Sequence, residues 1–384
     1  MGQVKLKLIF CVTEDWYFCS HRLPIARAAR DAGFDVVVIT RAGDGGERIR
    51  KEGFRLIPMD LRRGRFQPLR ELAALVRLVK IFRAERPTIV HNVAMKPVLL
   101  GSVAARAAGN ARIVNALGGL GWVFTSTSPR AWMLRPLVKS AFRFLFRGER
   151  VRVIVQNPVD RAVLESVGVP AGRIVSIAGS GVDPGRFRPS PEPPGGIVAA
   201  MVSRMLRDNG VGELVEAARL LRVTCPALRV QLVGPPDPGN PSSIGETVLG
   251  SWIREGIVDW RGAVEDIPAV WANAHIAVLP SYREGLPLSL LEAAACGRAI
   301  VAADVPGSRE VVVHEKTGLL VPPRDARALA GAISRLAADS ELRKRLGVAA
   351  RERVLERFTV ETVVGKTLAV YRALCPPGAA ASYK

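Results

Sequence analysis

Residues 275–292 read HIAVLPSYREGLPLSLLE, an apolar segment that runs into a polar loop and then into a helical pattern. The segment His275–Leu279 lacks alternating polar residues, which is typical of a parallel strand covered by helices on both faces. Proline fits only the first turn of a helix, so Pro287 predicts that the next helix begins there. This βα unit favours an open parallel sheet with helices on both sides.

The same alternation recurs on both sides of a proline-rich stretch. Residues 183–196 hold five prolines and three glycines, a composition suited to a semi-rigid linker. The predicted strands are 4–12, 35–40, 88–92, 112–116, 151–156 and 173–177 before it, and 197–202, 228–233, 257–260, 275–279, 299–303 and 318–321 after it. First helical positions are predicted at Pro24, Pro68, Pro97 and Pro136.

We therefore predict an α/β chain with two doubly wound, Rossmann-like domains facing a central cleft. The first domain is expected at residues 1–182, the linker at 183–196 and the second domain at 197–359. Residues 360–384 are expected to form a helix that crosses back to the first domain.

Charge is the unusual feature of the composition. The 384 residues carry a formal net charge of +20, which predicts attraction to nucleic acid, a phospholipid surface or a phosphorylated substrate. The five cysteines are widely spaced and form no C-x-x-C pair, so neither a disulfide framework nor a zinc site is expected. No apolar run approaches the ~18 residues that a membrane-spanning helix needs, and a secretion signal is not expected either.

Two carboxylates, Glu284 and Glu292, flank the predicted helix start. Free backbone N–H groups near Gly285, Leu286 and Leu288 would lie at a helix N-terminus, where a phosphate is favoured. Glu292 lies four residues beyond Leu288, on the same helix face, and a carboxylate there can accept two adjacent hydroxyls of a ribose. Glu284 would meet a different hydroxyl group at the helix mouth.

Other interpretations of these residues remain open. Ser281 and Glu284 also match a capping box, with Glu292 as a surface residue, but a helix capped at Ser281 would place Pro287 beyond its first turn. A carboxylate pair also occurs in glycoside hydrolysis, although this pair flanks a predicted phosphate site rather than a sugar-cleaving groove.

The motifs of this region resemble those of a known family. Glu284-x7-Glu292, the stretch 305–310 (VPGSRE) and the stretch 317–322 (TGLLVP) resemble the C-terminal half of glycosyltransferase family four, retaining enzymes of GT-B fold. The stretches 20–24 (SHRLP), 96–97 (KP), 118–121 (GGLG) and 203–208 (SRMLRD) are similar to the branch that extends undecaprenyl-diphosphate-linked sugars with UDP-hexosamines.

The resemblance implies roles for the donor site. Glu292 would hold the ribose, Glu284 and the Gly285–Leu288 backbone would hold the donor sugar and diphosphate, and Arg204 would neutralise diphosphate charge. The stretch from Arg261 through Val264 to Asp266 would lie near the nucleotide base. A plain loop with Asp266 as a helix cap explains that stretch equally well.

One position departs from the family pattern. The family usually has a lysine five residues after the arginine that matches Arg204, and this chain has Asn209 there. Charged hydrogen bonds contribute about 1.5–3 kcal/mol against about 1 kcal/mol for neutral ones, so Asn209 predicts weaker stabilisation of the leaving UDP. Arg207 could compensate, or the protein is a weakly active relative.

The first domain carries the expected acceptor site. Ser20, His21 and Arg22 lie in a polar and aromatic segment that follows the first strand. His21 could accept a proton or, with Arg22, bind an acceptor phosphate near Pro24, and a role in local hydrogen bonding is equally compatible. Two further stretches carry candidate residues of the acceptor site. Lys96 is a candidate by the family resemblance. Gly118 and Gly119 follow a strand and could bring the backbone close to a sugar or phosphate, although a tight turn explains them as well. No catalytic base is assigned, because the resemblance allows the leaving phosphate to take the acceptor's proton.

A basic amphipathic helix is predicted near residues 132–147. Arg135, Lys139, Arg143 and Arg147 recur every four residues beside an apolar band, namely Leu134, Val138, Phe142, Leu145 and Phe146, with Trp132 nearby. Such a helix can lie on an anionic membrane or can cover the sheet. Arg62, Arg63 and Arg65 beside Phe66 offer a second membrane contact.

These features together predict a retaining glycosyltransferase on the cytoplasmic face of the inner membrane. It would move an N-acetylhexosamine from a UDP-sugar to a lipid-diphosphate-linked sugar in bacterial surface polysaccharide or glycan assembly. No metal is expected, because no Asp-x-Asp pair or metal-ligand cluster stands out. The alternatives are a nucleic-acid-binding protein, which 6% aromatic content and the lack of a binding motif disfavour, a UDP-sugar epimerase of GT-B fold, or a non-catalytic relative.

Overall fold

The computed structural model describes residues 6–61, 67–109, 111–119, 124 and 129–375. Within the chain, two compact units separate. One comprises residues 1–180 together with 363–384, and the other comprises residues 181–362. Each unit contains its own parallel sheet.

The described residues of the first unit form a seven-stranded parallel sheet in the order β3-β2-β1-β4-β5-β6-β7. Its strands are β1 (Lys7–Glu14), β2 (Asp35–Arg41), β3 (Arg55–Pro58), β4 (Ile89–Val93), β5 (Arg112–Ala116), β6 (Val151–Val155) and β7 (Ile174–Ser176). Its helices are α1 (Asp15–His21), α2 (Leu23–Asp31), α3 (Asp44–Lys51), α4 (Pro68–Glu85), α5 (Met95–Ala108), α6 (Pro129–Phe146) and α7 (Pro158–Ser166).

Helices cover both faces of this sheet, as the apolar strands predict. Along β1, Leu8 and Phe10 join a core with α1 and α2, whereas Ile9 and Cys11 join a core with α4 to α7. Successive side chains of a strand point to opposite faces, so β1 is buried on both.

The described residues of the second unit form a six-stranded parallel sheet in the order β10-β9-β8-β11-β12-β13. Its strands are β8 (Val198–Val202), β9 (Arg229–Val233), β10 (Asp259–Trp260), β11 (Ile276–Leu279), β12 (Ala299–Ala303) and β13 (Leu319–Val321). Its helices are α8 (Val211–Thr224), α9 (Glu246–Arg254), α10 (Ile267–Ala272), α11 (Leu288–Ala295), α12 (Pro306–Val311), α13 (Ala326–Ala338) and α14 (Ser340–Arg357).

The last helix, α15 (Val360–Leu374), begins in the second unit and from Val363 belongs to the first. Val370, Tyr371 and Leu374 are buried in the core that contains α1 and α2. Burial of this apolar stripe is what fixes the C-terminal segment to the first unit.

The proline-rich stretch lies within the second unit and is held there by buried side chains. The Arg298 guanidinium donates to the Ser190 carbonyl oxygen at 2.8 Å, and Arg343 makes a two-point ion pair with Glu192 at 2.9 and 2.8 Å. His275 Nε2 lies 3.1 Å from the Pro193 carbonyl oxygen, which gives this histidine a structural role.

The predicted fold class, two doubly wound α/β domains, is confirmed, but one strand was missed and one predicted helix start is wrong. The edge strand β3 was not predicted, because its four residues end in proline and only Leu56 and Ile57 are even partly buried. Pro136 lies inside α6 rather than at its start, because Pro129 supplies the same signal seven residues earlier.

Candidate donor and acceptor sites

The sheet order of the second unit places two loops side by side. The order reverses between β8 and β11, and ligands of open parallel sheets bind beyond the carboxyl ends of strands at such a reversal. The segment that follows β8 contains Arg204 and Asn209, and the segment that follows β11 contains Glu284. The predicted donor residues therefore lie at the point where this topology favours a ligand.

The two loops touch through their backbones. The Tyr282 N–H donates to the Asp208 carbonyl oxygen at 2.9 Å. Gly210 has φ of +75°, and a Cβ at this position would lie 2.2 Å from the Pro280 carbonyl oxygen. Only glycine fits this close approach, so Gly210 fixes the distance between the loops.

Arg204 and Glu284 interact across this contact. Burial raises the pKa of Glu284, while the nearby Ser281 hydroxyl and the positive charge of Arg204 act to lower it. Arg204 also pairs with Asp237, with its guanidinium Nη1 2.5 Å from a carboxylate oxygen. Sequence reasoning missed Asp237, because a carboxylate 33 residues away carries no local signal.

The helix after the carboxylate loop begins where the sequence predicted. α11 starts at Leu288 with Pro287 as its N-cap residue, and no side chain caps it. The capping-box alternative with Ser281 is therefore wrong. Gly307, at the start of α12, packs closely against the same loop, since a Cβ there would lie 2.6 Å from the Glu284 and Gly285 carbonyl oxygens.

Glu292 lies on α11 in a poorly solvated environment. Its neighbours on that helix, Leu291 and Ala293, are fully buried, and the side chain itself is partly buried. Burial raises the pKa of Glu292 to about 8, against the lowering effects of the Arg186 charge and of the Trp271 indole. A carboxyl group kept from water without a strong cationic partner is a candidate ligand site.

Trp271 is a residue that sequence reasoning did not find. It lies on α10, is 1% exposed, and its indole Nε1 has no hydrogen bond of good geometry within the described part of the chain. The indole N–H therefore adds a donor to the surroundings of the Glu292 carboxyl group.

The remaining predicted donor residues have ordinary local contacts. The Asn209 amide donates to the Arg204 carbonyl oxygen at 2.9 Å, which ties the turn to that arginine's backbone. Arg261 is exposed and lies 3.4 Å from the Asp259 carboxylate, and Val264 is partly buried. Asp266 caps α10 by accepting from the Ala269 N–H at 3.2 Å, as the plain-loop interpretation expects.

In the first unit, the predicted acceptor residues follow β1, β4 and β5, which are neighbours in the sheet. His21 stacks on Tyr17 with ring centroids 4.1 Å apart, and its Nδ1 lies 2.6 Å from the Ser20 hydroxyl. A Cβ at Gly118 would lie 3.5 Å from the Tyr17 hydroxyl, so the loop after β5 reaches α1.

Two other acceptor candidates have partners or special backbone geometry. Lys96 pairs with the buried Glu71 at 2.7 Å, and Gly119 has φ of +123°, which favours glycine. Leu120 and Gly121, the rest of that glycine loop, lie outside the described residues, as do Arg62, Arg63, Arg65 and Phe66.

Arg22 lies at the junction of α1 and α2 and is 3% exposed. Asp15, at the start of α1, is also buried and accepts from the Gly43 N–H at 2.6 Å, which anchors the start of α3. Asp15 was not predicted, because its partner is a backbone group 28 residues away.

The basic helix α6 divides into two halves. Phe142, Leu145 and Phe146 are buried against the sheet, which matches the covering-helix interpretation. Trp132 and Leu137, in the first half, are 74% and 68% exposed and stand beside basic residues. The exposed apolar surface is larger than a covering helix requires.

The described residues contain neither a metal-ligand cluster nor a membrane-spanning helix. No group of three or more His, Cys, Asp or Glu side chains there is arranged to hold a metal ion. No helix among those residues has both the length and the apolar character needed to cross a bilayer.

Comparison with known proteins gives the family. The family model described as "Glycosyl transferase 4-like" matches residues 7–157, and the model described as "Glycosyl transferases group 1" matches residues 196–339. Together the two matches cover most of both units.

Curated relatives match over nearly the whole chain. The N,N'-diacetylbacillosaminyl-diphospho-undecaprenol alpha-1,3-N-acetylgalactosaminyltransferase of Campylobacter jejuni is 28% identical over 87% of this chain and 90% of its own length. The putative glycosyltransferase EpsD of Bacillus subtilis is 28% identical over 96% of each chain.

Among solved structures, HepE of Anabaena in complex with UDP superposes with a TM-score of 0.76 at 19% identity, over 96% of this chain and 100% of its own. At this identity the likeness establishes the fold alone. From the two family models and this structural likeness together, the chain belongs to the group 1, family 4-like glycosyltransferases and has the GT-B fold.

Proposed function

We propose that this protein is a retaining glycosyltransferase that moves an N-acetylhexosamine from a UDP-sugar to a polyprenyl-diphosphate-linked sugar, in bacterial surface polysaccharide or glycan assembly. The observation that carries the proposal is the meeting of Arg204 and Glu284 at the β8/β11 reversal, with Glu292 on the helix that follows. The relative from Campylobacter jejuni, whose name describes transfer to an undecaprenyl-diphosphate-linked sugar, supports the choice of acceptor.

The donor site is proposed to divide its work by charge. The backbone at Gly285, Leu286 and Leu288, which leads into α11, contacts the diphosphate, aided by the helix dipole. Glu292 accepts the ribose hydroxyls and Glu284 contacts the donor sugar. Arg261 and Val264 border the base.

Arg204 supplies the charge stabilisation that the reaction needs. As the bond between the sugar C1 and the UDP β-phosphate oxygen breaks, negative charge grows on that phosphate. A guanidinium and fixed backbone donors stabilise this charge without reorganisation, which is the work that a metal ion does in other transferases. The departing phosphate oxygen takes the proton of the acceptor hydroxyl, so no separate base is required. Asn209 offers that phosphate a neutral donor only.

The acceptor is proposed to bind the first unit, where Ser20, His21 and Arg22 lie beside the loop after β5. Gly118 and Gly119 let backbone approach the acceptor sugar, and Lys96 contributes positive charge. Donor and acceptor residues thus belong to different units of the chain.

A lipid-linked acceptor requires access to a membrane, and α6 is the proposed contact. Its first half exposes Trp132, Met133 and Leu137 beside Arg135 and Lys139. Each basic residue near an anionic surface contributes about 1 kcal/mol, and buried apolar side chains add to this. The protein is accordingly proposed to act on the cytoplasmic face of the inner membrane.

A second exposed apolar stripe supports a membrane contact on the same side of the first unit. Leu69, Leu72 and Val76 on α4 are 84%, 58% and 48% exposed, with Arg77 and Lys80 alongside. Helix α5 contacts both α4 and α6, so these helices cover the same side of the sheet.

The test is a screen of UDP-sugars against a panel of polyprenyl-diphosphate sugars, with the anomeric configuration of the product read by NMR. Transfer with retained configuration supports the proposal. UDP-sugar turnover that needs no acceptor would favour an epimerase, and UDP binding without turnover a non-catalytic relative. Tight binding of duplex or single-stranded nucleic acid at physiological salt would favour the nucleic-acid alternative.

Variants then test the site. Glu284→Ala should lower turnover on the order of 100-fold with little change in UDP affinity. Glu292→Ala should mainly weaken UDP binding, by about tenfold or more, because two hydroxyl hydrogen bonds are lost. Glu341→Ala, on an exposed face of α14, is the matched control. Unchanged UDP affinity of Glu292→Ala in calorimetry would contradict the ribose role.

A further inference from the structure

A buried arginine in the first unit lacks a counter-ion. Arg22 is 3% exposed, yet within the described ranges no carboxylate pairs with it, and its Nε has no hydrogen-bond partner. An unpaired charge removed from water is strongly destabilising, so native proteins pair such groups or use them to bind a ligand.

A second orphaned group lies close to this arginine. His91, in the middle of β4, is fully buried, and its Nε2 has no partner among the residues described. The Arg22 charge acts on both His91 and Tyr371, which places the three side chains in one neighbourhood of the first unit.

Hydrogen bonding identifies His91 Nε2 as a donor. Its Nδ1 lies 2.5 Å from the Tyr371 hydroxyl. Burial raises the pKa of Tyr371, so its hydroxyl keeps its proton and donates it to Nδ1. Burial also lowers the pKa of His91, which leaves the ring neutral with its single proton on Nε2.

Two buried N–H donors, one of them charged, therefore lack acceptors. Arg22, whose charge acts on His91, is the N-cap residue of α2, a nine-residue helix whose dipole also favours negative charge. Donors without acceptors at such a place call for an anion, and a planar guanidinium is the side chain best matched to phosphate oxygens.

We propose that Arg22 and His91, at the N-terminus of α2, form a binding pocket for the diphosphate of the lipid-linked acceptor. The choice of this source among phosphate-bearing ligands rests on the proposed function. The pocket explains why the chain keeps an arginine buried without a carboxylate, since the acceptor supplies the missing charge.

Calorimetric titration with inorganic pyrophosphate, at saturating UDP to occupy the donor site, tests the pocket. The wild-type protein should bind, and Arg22→Met should bind at least tenfold more weakly. The control is Arg27→Met, on the exposed face of α2, where the guanidinium pairs with Glu52. Equal affinity in the wild type and Arg22→Met would overturn the proposal.

Thermal stability separates a binding role from a structural one. Removal of an unpaired buried charge should leave the melting temperature of unliganded Arg22→Met unchanged or higher. If Arg22 had a structural role instead, its replacement would lower the melting temperature. Pyrophosphate should raise the melting temperature of the wild-type protein in the presence of UDP. An Arg22→Met protein that melts below Arg27→Met, or a wild type indifferent to pyrophosphate, would overturn the proposal.

Two further arms identify the source of the anion. Farnesyl diphosphate should compete with pyrophosphate for the Arg22-dependent site. A site that binds inorganic phosphate but not farnesyl diphosphate would overturn the assignment to a lipid diphosphate. Sugar transfer is measured separately. If the wild-type protein transfers no sugar but still binds pyrophosphate in an Arg22-dependent way, only the proposed function is contradicted. If Arg22→Met transfers sugar normally with an unchanged KM for the acceptor, only this inference is contradicted.

Discussion

Replacement of Glu292 by glutamine should stabilise the unliganded protein while it weakens nucleotide binding. Burial raises the pKa of Glu292 from 4.5 to about 8. Between these pH values the unfolded chain has released the proton that the folded protein retains, so the free energy of unfolding falls as pH rises through this window. Glutamine has no proton to release and escapes this penalty.

The size of the effect follows from the two pKa values. At pH 7 the unfolded state gains about 3 kcal/mol from ionisation of the carboxyl and the folded state almost nothing, while at pH 5 the difference is under about 1 kcal/mol. For a unit of this size, 1 kcal/mol shifts the melting temperature by about 2–4 °C, so Glu292→Gln should melt about 6–12 °C higher at pH 7.

Urea unfolding and thermal melts of the unliganded protein at pH 5, 6, 7 and 8 measure this difference directly. Glu341→Gln, at a carboxylate with 81% side-chain exposure, is the control and should show no pH-dependent gain. UDP should stabilise the wild type more than Glu292→Gln. A difference between wild type and Glu292→Gln that stays constant with pH, or a less stable variant, would refute the reasoning.

Four further outcomes are expected. Asn209→Lys should raise turnover at saturating donor, since an ammonium neutralises the leaving diphosphate, and an equal or lower rate would remove the missing lysine from the explanation. Asp237→Asn should tighten UDP binding about fivefold in calorimetry, because Arg204 no longer leaves an ion pair of about 1 kcal/mol, and unchanged affinity would mean that the pair persists with UDP bound. Activity should persist in EDTA, whereas its loss and recovery with magnesium would show a metal requirement. Trp132→Glu should reduce sedimentation with anionic vesicles relative to Val223→Glu, a control at an exposed site in the second unit, and equal sedimentation would count against α6.

The sequence predicts strands well where both faces are buried. β1 and β12 are continuous apolar runs bounded by polar residues, and both appear near their predicted positions. β3 was missed because it is an edge strand, which pairs with a neighbouring strand on one side only. Such a strand can be short, partly exposed and end in proline, so it carries no apolar run that would reveal it in the sequence. Proline gave the start of α11 correctly and misplaced that of α6, because it fits a helix interior when a solvent-facing turn tolerates the lost hydrogen bond.

The sequence relates the proposed donor residues to one another more directly than the proposed acceptor residues, for a physical reason. Glu284, Gly285 and Glu292 belong to one loop and one helix, so their spacing alone fixes their relation. Asp237 and Trp271 reach the same region from other βα units, and only the tertiary fold brings them there. The proposed role of His91 depends on Tyr371 of α15, which lies 280 residues further along the chain.

Both proposed sites share a cost that a folded protein without ligand has no reason to bear. Glu292 is a carboxyl group kept from water and Arg22 is a guanidinium kept from carboxylates, and either could be replaced by an apolar side chain of similar size with a gain in stability. The two groups have opposite charge preferences, one suited to neutral hydroxyls and the other to an anion. A donor whose ribose meets Glu292 and an acceptor whose diphosphate meets Arg22 would each relieve the cost that their residue imposes. Ligand-dependent stabilisation should therefore be lost separately, with UDP in Glu292→Gln and with pyrophosphate in Arg22→Met.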